Sequence, residues 1–581
     1  MIISLRRGVM HVLGVFIMAP SILLALPKAP PIEERVRELK LDNGLTIVVA
    51  ERHNTPVFFT LSTFRVGSCQ ELPNRSGLAH FLEHMLFKGT KAIGTSDYKA
   101  EVPLMEKMEK VAEEMRGHTA KLASWRFEMF EEYALKVRAG LPQETLDKAA
   151  SDESLLWRAL LDTLPTDGKG LPAEWQNTPW VISDGQTDYW GLYRDIIGRR
   201  AELASLLQQQ KPLLTATQPL NGIYDPRGAD NMNAFTTQDQ TTYMVGLPSN
   251  CLELWMYLES DRFQNPVFRQ FYSEKEVVQE ELRNRENDPE SVLRQKFISA
   301  SFDAHPYGRP VIGWQGDIRS TVRSDMEAFF WKYYTPNNCQ ITIVGDVNTD
   351  DVFRLAKQYF GKWKPGEPSP AVTVNEPEQD GEKRITLTRD AEPEVLIGYH
   401  IPTAPNPDAY ALAMLHSILS GGRTTRFYKN IFEGKELTQG APWAYDGPAD
   451  RYPNLTIINA NPKAPHTSAE VEAAIYEELD KLKNEPVTEW ELERVKNTIR
   501  ASELQRLASN RWLAFSLSGT FVQYGDWRQL KNEYERRLAV TPEDVQRVAK
   551  KYFVQENRIV ATLIKGSGDQ AEAPQTNGGR Q

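Results

Sequence analysis

Apolar and polar positions alternate over Val36–Lys40, an Asn43-Gly44 turn signal follows, and Leu45–Ala50 (LTIVVA) is a continuous apolar run. Alternation and unbroken apolar runs bounded by turn residues predict strands here, the second of them buried, and another long strand over Val57–Val66 (VFFTLSTFRV). The period then lengthens. Ser76-Gly77 opens an apolar helix from Leu78 to Phe87, with Ser76 as its expected cap. Residues 98–215 differ in texture: Glu101–Val137 interleaves charges with Met, Leu and Ala at helical spacing. Asp188–Gln210 repeats that texture, and a stretch containing Trp, Pro and Gly (Leu164–Gly185) lies between them. The region reads as a largely helical insertion, a hairpin of long helices that need not belong to the main core.

Strand texture returns over Asn233–Leu247, followed by a helix from Cys251 to Phe263 and a carboxylate-dense helix from Ser273 to Asn287. A strand at Gln340–Val344, a helix at Asp350–Gly361 and Pro-rich segments near Lys364–Ser369 and Glu376–Gly381 close the first half. The second half opens like the first, with strands at Arg384–Thr388 and Glu394–His400 and an apolar helix at Asp408–Leu419. Two strand–strand–helix openings in one chain predict an α+β fold of two related domains, each an antiparallel-rich sheet packed by helices. The expected boundaries are 30–365, carrying the insertion at about 98–215, and 366–565. Residues 566–581, rich in Gly, Gln and Asn, read as a disordered tail.

Composition narrows the class. The 581 residues are 41% hydrophobic and 25% charged, enough for several cores. The net charge of -10 and the lack of a long basic run argue against a nucleic-acid partner. The first residues carry arginines and no acid, and Leu13–Leu26 is apolar but interrupted by Pro20. That pattern predicts a signal peptide over 1–29 and export to a periplasmic or extracellular space. An uncleaved N-terminal anchor is the alternative, and no other membrane contact is expected. Cys69, Cys251 and Cys339 are too few and too scattered for a disulfide framework or a thiolate zinc site, so buried free thiols are expected.

The chemistry concentrates at His80-Phe81-Leu82-Glu83-His84. On a helix His80 and His84 lie one turn apart on one face, so their imidazoles can converge on one zinc ion. Glu83 lies beside them, positioned to take a proton from water whose pKa a metal lowers to about 7. The competing account is a hydrogen-bonded histidine pair on a core helix. A buried helix bearing two His and a Glu still needs partners for those groups, and a metal supplies them. A third ligand is required. The downstream helix offers several glutamates, of which Glu274 and Glu281 are two turns apart on one face, flanking Val277 and Val278. Taken alone, such a helix is more often a solvated face.

The segments HFLEHMLFKGT (80–90), NAFTTQDQTTY (233–243), EKEVVQEE (274–281), HPYG (305–308), YTPNNCQITIVGD (334–346) and LSGGRTTRFY (419–428) together resemble the inverzincin zinc peptidases of the pitrilysin, insulinase and mitochondrial processing peptidase group. The resemblance covers about residues 35–100 and 220–565. It implies one zinc ion per chain held by His80, His84 and Glu281, with Glu83 as general base and Glu274 in support. It further implies that Asn233, Ala234, Phe235 and Thr236 form an edge strand pairing with an extended peptide substrate. The implied fold is a repeated α+β domain closing around a chamber. Two departures stand out. The insertion separates the third ligand from the histidines, so it either sits outside the chamber or gates it. Phe432 and Gln439 stand where the family's complete sites carry Arg and Tyr, and neither replaces a guanidinium. Arg423, Arg426 and Tyr428 are nearby but out of register. The expectation is therefore a metalloendopeptidase acting on peptides or unfolded polypeptides, as the zinc-bearing subunit of a dimer. A second homologous subunit would supply the Arg/Tyr pair, or the chain would form a homodimer. The alternative is a non-catalytic assembly or chaperone-like subunit that kept the fold.

Overall fold

The structure, a computed structural model, describes residues 32–167 and 170–566. The expected signal segment and all of the tail but Gly566 lie outside the described residues. Among those residues the strands form two sheets. The first contains β1 (Arg37–Lys40), β2 (Thr46–Glu51), β3 (Val57–Phe64), β4 (Asp230–Thr236), β5 (Thr241–Pro248) and β6 (Cys339–Gly345), in the order β1-β2-β6-β3-β5-β4. The second contains β7 (Lys383–Arg389), β8 (Glu394–Ile401), β9 (Trp443–Gly447), β10 (Asn454–Ala460) and β11 (Arg558–Lys565), in the order β7-β11-β8-β10-β9. Only β2–β6 and β7–β11 are parallel pairs. Setting β1 aside, the two sheets match strand for strand and sense for sense. The repeat expected from the two similar openings is therefore present as topology.

Strands β3 and β6 are buried along almost their whole length, which requires a cover on both faces. One face of the first sheet packs under its own helices: Ile47, Val49, Phe58 and Phe64 join Phe81, Met85, Trp255 and Met256 in one core. The other face is covered from the second half. Leu513, Ala514 and Leu517, on the helix Asn510–Tyr524, pack on Val48, Leu61 and Val344. The exchange is mutual, because Leu293 and Phe297 of the first-half helix Pro289–Ser301 pack on Leu396, Ile457, Ile559 and Leu563 of the second sheet. Gly398 of β8 makes room for this contact, since a Cβ there would stand 2.6 Å from Phe297 Cζ.

The helical insertion is present. Glu101–Val137 is not one helix but two, Tyr98–Thr119 and Ser124–Ala139, joined by a short break. With Tyr189–Gln210 they enclose an aromatic core of Phe127, Phe130, Trp175, Trp190 and Tyr193. Its base is not separate from the domain, since Met108, Val111, Ala112 and Leu206 belong to the main core. A buried ion pair strengthens the join. Glu101 receives Arg269 Nε at 3.1 Å and Gln210 Nε2 at 2.9 Å. The Arg269 guanidinium also donates to the carbonyls of Lys88, Thr90 and Ile93.

Candidate metal centre

The helix Leu78–Met85 starts at Gly77, whose φ of 88° is left-handed. A Cβ there would lie 2.4 Å from the carbonyl oxygen of Ile312. Ser76 is not the cap: its Oγ donates to Asp317 Oδ2 at 2.5 Å. The first helical amides are instead taken by Glu71, which accepts from Gly77 N at 2.8 Å and Ala79 N at 2.7 Å. Burial pushes the Glu71 carboxyl up to about 8, against the pull of those amides. No pattern in the sequence marks a glutamate seven residues ahead of the helix as its cap.

The helix places His80 and Glu83 in buried positions and leaves His84 half-buried. The helix Phe271–Asn287 brings in Glu274 and Glu281 on one face, as their spacing predicts. The apolar stripe beside them is Phe271, Val278 and Leu282, while Val277 faces solvent at 52% exposure. Glu281 Oε2 lies 3.7 Å from His80 Nε2 and 3.8 Å from His84 Nε2. Ligand atoms of the three residues lie within 4.8 Å of one another, the only such metal-sized cluster among the described residues. Donors on a tetrahedral zinc with bonds near 2.0–2.1 Å stand about 3.3 Å apart, somewhat closer than the 3.7 and 3.8 Å from Glu281 to the two imidazoles here.

The electrostatics suit a cation. Burial and the neighbouring His84 push His80 down to about 4, leaving a neutral imidazole with a lone pair. Its Nδ1 is buried without a hydrogen-bond partner among the described residues. For His84, burial opposes the charge, but the hydrogen bond from Nδ1 to Glu274 Oε1 at 3.0 Å and the negative charges of Glu274, Glu83 and Glu281 together raise the pKa. The same bond fixes the ring so that Nε2 faces Glu281. Glu274 Oε2 pairs with the buried Lys88 Nζ at 2.6 Å. Burial would raise Glu274, but His84 and Lys88 together hold it below the usual carboxylate range. Lys88 is part of the site, and its place four residues past His84, on the loop braced by Arg269, gave no sign of that role.

Glu83 accepts from Thr236 Oγ1 at 2.6 Å through Oε2. Burial raises its pKa against that hydrogen bond. Thr236 ends β4, an edge strand paired only with β5 and carrying a bulge at Asn231. Side chains alternate along it. Ala234 and Thr236 face the metal helix, while Phe235 meets Phe515 across the other face, with ring centres 6.1 Å apart. Asn233 Oδ1 accepts from the backbone N–H of Ala234. A cleft of about 690 Å³ between the halves begins at the β4–β5 turn and runs past Trp512 and Phe515. Phe432 packs on Tyr428, Gln439 reaches the carbonyl of Pro462, and Arg426 is held by Glu491 at 2.8 Å.

Comparisons with known proteins bear on the family and the fold. Residues 47–111 and 224–314 match the family model described as insulinase, peptidase family M16. Residues 321–499 match the one described as the peptidase M16 inactive domain. The unmatched stretch between the two insulinase segments, residues 112–223, takes in most of the helical insertion. An uncharacterized zinc protease of Mycobacterium leprae is 30% identical over 324 residues, covering 55% of this chain and 72% of that protein. The zinc protease PqqE of Helicobacter pylori is 29% identical over 328 residues, covering 55% and 73%. Among solved structures, a protease from Helicobacter pylori superposes with a TM-score of 0.66 at 22% identity, covering 91% of this chain and 99% of that one. A peptidase M16 inactive domain from Pseudomonas fluorescens gives 0.62 at 16% identity, covering 92% and 100%. These structures share the mixed α/β fold in two domains. The chain belongs to peptidase family M16, the insulinase family.

Proposed function

We propose that this chain is a zinc-dependent endopeptidase, with His80, His84 and Glu281 holding one zinc ion. The observation that carries the reading is the meeting of three ligand atoms with a fourth group, the carboxylate of Glu83, at the end of a free sheet edge. When bound, zinc supplies a Lewis acid that acidifies water and polarises a carbonyl. The rest falls to the chain's own groups. A peptide added to the edge of β4 would be held by main-chain hydrogen bonds in an extended form, its scissile bond carried to Thr236 and Glu83. Thr236 donates to Oε2 of Glu83 and steadies the carboxylate that would take a proton from the attacking water and return it to the leaving amine. The raised pKa of Glu83 suits both transfers.

In this reading Glu274 orients His84, and a second subunit completes the site where Phe432 and Gln439 stand. The chain would act outside the cytoplasm. A second reading, a non-catalytic assembly subunit, draws on the match of residues 321–499 to an inactive domain. Zinc analysis and a peptide assay separate the two. Purified protein should carry one zinc, lost in His84→Ala, and Glu83→Gln should retain zinc while cleavage falls at least about 100-fold. Cleavage unchanged in Glu83→Gln would sink the catalytic assignment.

A further inference from the structure

One buried polar cluster lies outside the proposed chemistry and touches its edge. Asp239 sits in the β4–β5 turn, three residues beyond Thr236, and is 2% exposed. Its Oδ2 accepts from Tyr307 Oη at 2.6 Å and from the backbone N–H of Arg451 at 3.0 Å. Tyr307 Oη accepts in turn from the backbone N–H of Tyr452 at 3.0 Å. Arg451 and Tyr452 lie between β9 and β10 in the second half. Tyr307 belongs to the turn Pro306–Gly308, which follows the helix that crosses onto the second sheet. The segment connecting the halves joins in: Glu376 accepts the backbone N–H groups of Asp303, Ala304 and His305, and Tyr452 Oη accepts from Val372 N.

Besides Tyr307, the first half holds the same turn through backbone groups. Ser68 N and Cys69 N donate to the carbonyls of Thr237 and Gln238 at 3.2 and 3.0 Å. Thr237 Oγ1 accepts from Asp239 N and Gln240 N within the turn. Strand β4 has one neighbour and a bulge, so its end is placed largely by this turn. A buried carboxylate is a costly way to fill space. Asp239 Oδ1 has no partner among the described residues, and desolvation raises its pKa. An apolar residue would pack there at less cost but would not tie the second half to the turn.

We propose that Asp239 and Tyr307 are positioning residues through which the second half fixes the β4–β5 turn, setting Thr236 against Glu83 and the free edge of β4 against a bound peptide. The kinetic consequence rests on the peptidase reading; the structural one does not. Both hydrogen bonds to Asp239 fall on one oxygen, so Asp239→Asn, whose carboxamide oxygen can accept both, should behave like the native chain, and Asp239→Ala should not.

The test is hydrogen–deuterium exchange on the full zinc-loaded chain, paired with peptide kinetics. Tyr307→Phe and Asp239→Ala should speed exchange across 233–241 about tenfold and leave 78–86 unchanged. In both, kcat should fall about 10- to 100-fold with KM changed less than about threefold and zinc content intact, and Asp239→Asn should restore both readouts. If Asp239→Ala fails to fold, Tyr307→Phe decides, because its ring packing survives. Unchanged exchange across 233–241 overturns the proposal, as does a fall in kcat without faster exchange there, or faster exchange there with kcat unaltered. If the native chain cleaves nothing either alone or with a second subunit that completes the site, the peptidase reading fails, and exchange alone decides whether the second half holds the turn.

Discussion

Replacing Glu274 by Ala removes two interactions at once, and the structure sets the size of each. The first is the acceptor for His84 Nδ1 at 3.0 Å. Outer partners of this kind typically contribute 10- to 100-fold in metal affinity, about 1.4–2.7 kcal/mol, because they fix the tautomer and the ring plane. The second is the partner of Lys88, whose side chain is only 5% exposed. Removing one member of a buried pair strands the other charge, at a cost of about 3–5 kcal/mol. Zinc affinity should therefore fall 10- to 100-fold by chelator competition, while the metal-free protein unfolds at lower temperature. Glu274→Gln should lie between, since its amide oxygen still accepts from His84. The pH dependence has a definite sign. The folded pKa of Glu274 is lowered, so its contribution is present above the unfolded carboxylate value of about 4 and is lost as pH falls through the lower folded value. Native zinc affinity in Glu274→Ala would refute the orienting role. Complete loss of stoichiometric zinc there, with zinc retained in Glu281→Ala, would make Glu274 the ligand instead.

Glu101→Ala should leave the Arg269 guanidinium, 1% exposed, without its counter-ion and cost about 3–5 kcal/mol, lowering Tm by roughly 6–10 °C in scanning calorimetry; a shift under about 2 °C would refute the buried-pair account. Phe297→Ala should cost about 3–5 kcal/mol and, because the ring packs on Gly398, speed amide exchange in β8 and β11 of the second half; exchange that quickens only in the first half would contradict the crossed packing.

The elements legible in the sequence were those whose pattern is local. Strands β2, β3 and β6 are unbroken apolar runs, and the seven-residue spacing of Glu274 and Glu281 put both on one helix face. Long-range partners were not legible. Ser76 looks like a cap by type, yet Asp317, about 240 positions later, claims its hydroxyl, leaving the helix start to Glu71. Val277 and Val278 are equally apolar, and only packing decides that Val278 is core. Lys88 and Arg269 carried no periodic signal because each is paired through the fold. The crossed helices could not be read either, since an apolar face does not say which sheet it will cover.

The two halves share a scaffold, so the difference between them must lie in a few side chains. The helix Pro407–Leu419 follows β8 as Leu78–Met85 follows β3. It too carries a buried histidine near its end, His416. Its Nε2 meets Thr456 Oγ1 at 2.9 Å and its Nδ1 lies 3.3 Å from Asp446. Both nitrogens of His416 are thus occupied by neighbouring strands, and burial keeps the ring neutral. In the first half two histidines share one carboxylate and keep their Nε2 atoms turned inward. A buried imidazole must be satisfied by something; the sheet does it in the second half, and the first half leaves room for an ion. The second half also acts on the first by contact. Its helix Asn510–Tyr524 closes the open face of the first sheet, and its loop at Arg451 and Tyr452 reaches the turn beyond Thr236. Loss of activity on deleting the second half would therefore follow from exposing the first sheet and freeing that turn, with no metal ligand removed.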